Sequence, residues 1–98
     1  MIRHTAVFRL KHAKGSAAEQ DFLAVLAKLN AIPGVQKFEV LRQISAKCEF
    51  HFAVSMEFAD QAAYTHYNEH PDHIAFVQTR WLPEVAAFTE IDYVPLPS

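Results

Sequence analysis

The stretch Phe50–Phe58, with the sequence FHFAVSMEF, carries the clearest strand signal in the chain. Successive side chains of a β-strand point to opposite faces, so alternate residues share a face. One of the two faces is apolar throughout: Phe50, Phe52, Val54, Met56 and Phe58. The other face carries small or polar side chains: His51, Ala53, Ser55 and Glu57. This pattern predicts a strand with one buried face, and we expect Glu57 to be solvated on the opposite face.

Further strands are predicted on both sides of this stretch. Residues Ile2–Leu10 alternate with the same period. The face of this segment that we expect to be buried consists of Ile2, His4, Ala6, Phe8 and Leu10. The segment Val35–Ile44 is rich in residues that favour strands, and a turn over residues 45–49 separates it from Phe50. Residues Thr89–Val94 are predicted to form the last strand.

The first helix is predicted between the first two strands. Ser16 and Glu19 have the spacing of a capping box, which satisfies the free amide groups of a first helical turn. Apolar residues then follow at the spacing of one helical face: Phe22, Val25, Leu26 and Leu29. Pro33 and Gly34 end this element, because proline breaks the helical hydrogen-bond ladder.

The second helical region is predicted to be broken into pieces. Asp60 suits the N-cap of a helix that runs through Glu69. Pro71 suits the first turn of a further segment that ends near Leu82, and Pro83 lies close to another break.

The element order βαββαβ predicts the fold class. It is typical of an α+β, ferredoxin-like domain: a four-stranded antiparallel sheet with both helices on one face. The other face is left uncovered, with apolar residues such as Val7 and Ala53 among polar ones. A small domain gains stability when a second copy covers such a face. The sequence therefore predicts a homodimer.

Length and composition limit the remaining possibilities. The chain has 98 residues, enough for a single domain over residues 1–98. Its formal net charge is −2 and it has no cluster of Lys or Arg, so neither nucleic acid nor an anionic membrane is an expected partner. The N-terminus lacks the apolar stretch of a signal peptide, and the single cysteine, Cys48, cannot form an internal disulfide. We therefore expect a cytoplasmic protein.

Ionisable rings are concentrated in the segment Tyr64–Phe76. A histidine titrates near neutrality and a tyrosine hydroxyl can donate a hydrogen bond to a developing oxyanion. Tyr67 and His73 are therefore candidates for an acid–base pair that acts on a carbonyl compound. In the alternative interpretation, which local sequence favours, Tyr67 packs in the core and His73 is a surface residue.

A metal site is the competing interpretation of the same segment. His66, His70 and His73 would lie along one face of a continuous helix. Pro71 interrupts that face, because the residue before a proline is pushed out of the helical region. No further ligand is evident, so we expect no metal.

His4 is predicted to face inward from the first strand, where a polar ring needs a partner. Asp92 on the last strand is the obvious acid, since the first and last strands are neighbours in this fold. The pair either satisfies a buried imidazole or fixes the tautomer of a catalytic one.

Four stretches of the chain carry a resemblance to a known family: Arg3–Lys11, Ile32–Val35, Asn68–Phe76 and Ile91–Tyr93. Their most specific elements are the early histidine, the His-Pro-x-His of the last helical region and the closing Asp-Tyr. In these features the chain resembles the stress-responsive dimeric α/β-barrel (Dabb) family. The resemblance implies a ferredoxin-like fold, a homodimer whose sheets pack into a barrel, and a pocket between sheet and helices in each subunit.

The resemblance also implies roles for particular residues. A plant member of the family is a polyketide cyclase that performs an aldol ring closure with a tyrosine and a histidine. By position relative to the His-Pro-x-His motif, these roles fall on Tyr67 and His73, with His4 and Asp92 as orienting residues.

Two positions in the pocket depart from the cyclase. Its further pocket tyrosine and histidine are replaced here by Val25 and Phe52, and His51 lies on the opposite face of its strand. The implied pocket is therefore smaller or more apolar, with Val25 and Phe52 in its wall.

Two functional hypotheses emerge from these features. The first is a stress-responsive α/β-barrel domain protein that binds a small molecule in this pocket and has no assigned reaction. The second is a cofactor-free lyase, isomerase or cyclase that uses Tyr67 and His73 on a small carbonyl or aromatic compound. Neither hypothesis requires a cofactor.

Overall fold

Alternating strands and short helices make up the computed structural model, which describes residues 1–97. The strands are β1 (Ile2–Leu10), β2 (Gln36–Arg42), β3 (Phe52–Phe58) and β4 (Val85–Tyr93). The helices are α1 (Ala17–Ala27), α2 (Gln61–Glu69), α3 (Pro71–Phe76) and α4 (Leu82–Glu84). A 3₁₀ turn over Lys28–Ala31 extends α1, and a π-helical turn over Val77–Trp81 joins α3 to α4. Within residues 1–97, no helix has the length and apolar character needed to cross a lipid bilayer.

The four strands form one antiparallel sheet in the order β2-β3-β1-β4. The first strand in sequence therefore lies in the middle, between β3 and the last strand. In this register His4 pairs with Met56 on one side and with Asp92 on the other. The order and pairing are those of a ferredoxin-like α+β fold, which confirms the predicted fold class.

The core lies between one face of the sheet and the helices. Phe8, which is fully buried, is at its centre. The ring of Phe8 lies 5.9 Å from that of Phe22 on α1, 5.7 Å from Phe52 on β3 and 5.0 Å from Trp81, measured between ring centroids. Tilted aromatic pairs of this kind each contribute about 0.5–1.5 kcal/mol beyond their buried area. The apolar face predicted for the first strand is therefore the face that holds the helices.

The start of α1 uses the two predicted capping residues in an altered way. The Ser16 hydroxyl accepts a hydrogen bond from the Glu19 amide at 3.2 Å. The Glu19 carboxylate accepts one from the amide of Gly15 at 3.1 Å, instead of from the amide of Ser16. Gly15 has φ +76°, a conformation that glycine adopts without strain.

The second helical region breaks where the sequence predicts. Asp60 caps α2 by accepting a hydrogen bond from the Ala63 amide at 2.9 Å. Pro71 opens α3, and the His70 ring accepts from the Asp72 amide at 3.1 Å as its N-cap. His70 has extended backbone angles, so the axis of α3 departs from that of α2.

The strand ends differ from those predicted. The last strand begins at Val85, because Val85 pairs with Leu10 after a register shift in β1. The sequence predicts its start at Thr89. The second and third strands are shorter than predicted, since Phe50 and His51 precede β3 and residues 43 and 44 follow β2.

The open face of the sheet is largely apolar along one row. Four residues pair across the strands in this row: Leu41, Ala53, Val7 and Thr89. Leu41, Ile91 and Tyr93 expose 43%, 38% and 51% of their surface. Together with Val7 and Ala53, these three residues form the open-face patch.

Glu57 is buried, so the prediction that it is solvated is wrong. It exposes only 6% of its surface, although it points to the open face. Arg3, its partner in the β1–β3 register, contacts one carboxylate oxygen at 2.5 Å, and the Lys37 ammonium lies 3.8 Å from the other. These cations cover and neutralise the carboxylate.

Candidate functional site

A cavity of about 200 Å³ lies between the helix-facing side of the sheet and the helices. His4 and Ala6 of β1 and Phe88 and Glu90 of β4 form part of its wall. The helical side contributes Leu26, Leu29, Tyr67, Asn68, His73, Phe76, Val77, Trp81 and Leu82, and β3 contributes Val54. The wall is mostly apolar, with a few polar groups, which is the usual composition of a small-molecule site.

Tyr67 and His73 meet at this cavity. Their ring centroids are 4.4 Å apart with the planes tilted by 47°. Tyr67 projects from α2 and is 2% exposed, whereas His73 projects from α3 and is half-buried. The His73 Nδ1 atom lies 3.3 Å from the backbone oxygen of Asn68. A carbonyl oxygen only accepts, so Nδ1 carries the proton and Nε2 is left as a hydrogen-bond acceptor.

Burial sets the protonation states of this pair. Desolvation lowers the pKa of His73, partly offset by the hydrogen bond to Asn68, and the nearby His4 lowers it further. Desolvation raises the pKa of Tyr67 well above its ordinary value, and the negative charge of Glu90 adds to this. Near neutral pH the cavity therefore presents a neutral imidazole that accepts and a phenol that donates.

His4 and Asp92 form the pair that the sequence predicts. The His4 Nδ1 atom and the Asp92 Oδ1 atom are 2.7 Å apart, across directly paired positions of β1 and β4. An ionised carboxylate only accepts, so Nδ1 of His4 donates to it and the ring is fixed in one orientation. His4 is 8% exposed and belongs to the cavity wall.

The sequence did not reveal that Tyr64 and Glu90 join this pair. The Tyr64 hydroxyl lies 2.9 Å from His4 Nδ1, 2.8 Å from Asp92 Oδ2 and 3.0 Å from Glu90 Oε1. Burial and hydrogen bonds to the two carboxylates raise the pKa of Tyr64, so it stays protonated as a donor. The spacing in the sequence indicates both residues. Tyr64 is three residues before Tyr67 on a helix and Glu90 is two residues before Asp92 on a strand, so each shares a face with a predicted site residue.

This cluster of His4, Tyr64, Glu90 and Asp92 also contains metal-ligand atoms. One imidazole or carboxylate atom from each of His4, Glu90 and Asp92 lies within 4.8 Å of the other two. They are occupied with each other, however, since His4 donates to Asp92 and Tyr64 bridges the carboxylates. Of the histidines considered for a metal in the sequence, His66 and His70 have ring centroids 5.7 Å apart, whereas His73 packs on Tyr67 instead of joining them.

Val25 and Phe52, the other two predicted pocket residues, lie elsewhere. Val25 is half-buried against the core, and Phe52 is buried between Phe8 and the guanidinium of Arg42. Among residues 1–97, the side chains that line the cavity include neither Val25 nor Phe52. Phe52 does not line the cavity because its ring packs beside Phe8 of β1, whereas the cavity lies beside Ala6 and His4 of that strand.

The fold and the cavity define an α+β domain of the ferredoxin-like class with a small-molecule-sized site between sheet and helices. The sequence pattern of the Stress responsive A/B Barrel Domain (Dabb) matches residues 2–95, so the chain belongs to this family. A comparison with curated proteins gave no match.

Solved structures agree with this assignment. A Dabb family protein with a ferredoxin-like fold from Mesorhizobium loti is 65% identical, with a TM-score of 0.97 over 98% of this chain and 97% of that one. A dimeric ferredoxin-like protein of unknown function from Thermobifida fusca is 25% identical, with a TM-score of 0.79 over 96% and 90% of the two chains. A hydroxynitrile lyase from Passiflora edulis is 16% identical, with a TM-score of 0.83 over 99% and 94%, a likeness of fold alone.

The lowered pKa of His73 predicts a pH-dependent stability. Because the unfolded chain binds the His73 proton more readily than the folded one, the free energy of unfolding should fall as the pH drops below the ordinary value of 6.5. His73→Gln should remove this part of the slope. Urea unfolding at a series of pH values from about 5 to about 8 measures this slope. His66→Gln, at an exposed position, is the control variant. Equal slopes in wild type and His73→Gln would contradict the assignment.

Proposed function

We propose that the protein is a homodimer of a single domain over residues 1–98, and that each subunit binds a small, largely apolar molecule in the cavity between sheet and helices. The observation that carries this proposal is the cavity of about 200 Å³. An apolar cavity of about 150 Å³ is large enough to hold benzene. A compound with one ring and a short substituent therefore matches its size.

The polar groups of the wall support the same proposal. Tyr67 supplies a hydrogen-bond donor and His73 an acceptor, and both lie on an otherwise apolar surface. A ligand that bears a hydroxyl or carbonyl group satisfies one or both of them. The apolar remainder of such a ligand is then removed from water, at about 25 cal/mol for each Å² of its surface.

Filling the cavity should abolish ligand binding. Ala6 lies on the cavity wall and is 6% exposed, so Ala6→Leu places an isobutyl group in the space that the ligand would occupy. Benzyl alcohol should broaden and shift in ligand-observed NMR with the wild-type protein and not with Ala6→Leu. Ala24→Leu, on the exposed side of α1, is the matched control and should bind as the wild type does. Absence of binding to the wild type, or undiminished binding to Ala6→Leu, would contradict the proposal.

The open-face patch supports the homodimer. It presents Leu41, Ile91 and Tyr93 to solvent on a sheet that has no layer of its own on that side. Contiguous exposed apolar surface of this kind usually marks an interface. The Thermobifida fusca relative is described as dimeric, which supports a second copy as the occupant.

A charge in the middle of the patch should separate the subunits. Val7 points outward from the central strand β1, so Val7→Asp would bury an unpaired carboxylate in the interface. Light scattering coupled to size-exclusion chromatography should give a dimer for the wild type and a monomer for Val7→Asp, with circular dichroism to verify the fold. Ile74→Asp, on the exposed side of α3, should remain dimeric. A monomeric wild type or a dimeric Val7→Asp would refute this arrangement.

A second candidate function is acid–base chemistry on the bound ligand. The observation that favours it is the pairing of a neutral His73, with Nε2 unprotonated, and a protonated Tyr67 at one cavity. In that arrangement His73 removes a proton next to a carbonyl group while Tyr67 donates a hydrogen bond to the carbonyl oxygen. The hydroxynitrile lyase relative shares only the fold at 16% identity, so its reaction adds no weight.

Exchange of carbon-bound protons tests this second function. Acetophenone fits the cavity by size, and its methyl protons exchange with D₂O when a base forms the enolate. The wild-type protein should accelerate this exchange, His73→Gln should abolish the acceleration, and Tyr67→Phe should reduce it by about 10²-fold or more. Deuterium incorporation is followed by NMR. An exchange rate equal to that in buffer would leave the cavity as a binding site without this chemistry.

A cytoplasmic location and a role in stress responses complete the proposal. The single cysteine gives no internal disulfide, which suits a reducing compartment. The stress role is supported by the name of the family to which the chain belongs.

A further inference from the structure

The charged side chain in the cavity wall is negative. Glu90 is the carboxylate in its wall, and no Lys or Arg of residues 1–97 contributes to that wall. Three cations elsewhere in the fold are paired with carboxylates outside the cavity wall. Arg3 and Lys37 contact Glu57 on the opposite face of the sheet, and Arg80 is paired with Asp21 and Glu84.

The neighbouring cluster does not cancel this charge. Glu90 and Asp92 are both carboxylates, and His4 is the cationic candidate among their partners, with its Nδ1 atom 3.7 Å from Glu90 and 2.7 Å from Asp92. If His4 is neutral the cluster carries two negative charges, and if His4 is protonated it carries one. The net charge of the cluster beside the cavity is therefore negative in both protonation states of His4.

The Glu90 carboxylate is also held in position. The Tyr64 hydroxyl has one proton, which it shares between Asp92 Oδ2 at 2.8 Å and Glu90 Oε1 at 3.0 Å, and the Glu90 side chain remains 52% exposed. Its field reaches the rings that line the cavity, since it raises the pKa of Tyr67 and acts in the same direction on His73. A bound anion would be repelled by the same carboxylate.

Aromatic rings in the cavity wall suit a cation. Trp81 lies 5.4 Å from Phe88 in an edge-on arrangement and 6.4 Å from Phe76, measured between ring centroids, and all three rings line the cavity. Trp and Phe faces attract ammonium groups by about 0.5–2 kcal/mol. Glu90 lines the same cavity as these rings and supplies the negative charge that a protonated amine would need.

We propose that Glu90 selects the charge of the ligand, so that the cavity takes single-ring amines and uncharged compounds and rejects carboxylates and phosphates. This inference rests on the proposed ligand binding and goes further by naming the class of ligand.

A series of probes that differ only in charge tests the inference. Benzylamine, benzyl alcohol and benzoate share one ring and are cationic, neutral and anionic near neutral pH. In NMR titrations with the wild-type protein, the affinity should decrease in that order, with benzoate about fivefold weaker than benzyl alcohol, since Glu90 is partly screened by solvent. Glu90→Gln keeps the size and the hydrogen bond to Tyr64, and should bring benzoate and benzyl alcohol to about the same affinity.

A control variant and the pattern of binding distinguish the role of Glu90 from ligand binding itself. Glu49→Gln removes the same charge from an exposed loop residue outside the cavity wall, and should preserve the wild-type order. Benzoate binding as tightly as benzyl alcohol, or an order unchanged in Glu90→Gln, would overturn the role of Glu90 while ligand binding stands. Failure of all three probes to bind would overturn both.

Discussion

The pairing of the first strand with the last is the constraint on which the rest of the molecule depends. His4 and Asp92 are 88 positions apart in sequence, yet a 2.7 Å contact joins their side chains across β1 and β4. A buried imidazole or hydroxyl without a partner costs about 1–3 kcal/mol, so the cluster favours this register over its neighbours. Tyr64 extends the constraint to α2 and thereby holds the helical layer to the centre of the sheet. All buried side-chain polar atoms among residues 1–97 are satisfied in this arrangement.

The break at Pro71 has a direct chemical consequence. On one continuous helix, Tyr67 and His73 would be about 120° apart around the axis, since each residue turns the helix by about 100°. The extended backbone at His70 redirects α3 and brings the two rings to a centroid distance of 4.4 Å. The same break removes the helical face that would align His66, His70 and His73 for a metal. One proline therefore directs His73 away from the face of the other two histidines and toward Tyr67.

The sequence predicts those parts of this structure that follow from local periodicity or from the fold class. Alternation predicts β1 over its full length, and the βαββαβ order places His4 beside Asp92. The missed features depend on a neighbour that is distant in sequence. Glu57 is buried because an arginine of the paired strand covers it, which no pattern within β3 reveals. Spacing places Tyr64 on the face of Tyr67 and Glu90 on the face of Asp92, but only the folded chain brings Tyr64 and Glu90 together between the sheet and α2.

The last strand links the two faces of the sheet. Glu90 and Asp92 point toward the helices, and Ile91 and Tyr93 point toward the open face, because side chains alternate along β4. Because β4 is an edge strand, β1 is the one strand among residues 1–97 that pairs with it. In the proposed homodimer, contacts to Ile91 and Tyr93 would restrain β4 from the other side. A partner that never touches the cavity would then restrain the strand that carries the carboxylates beside it.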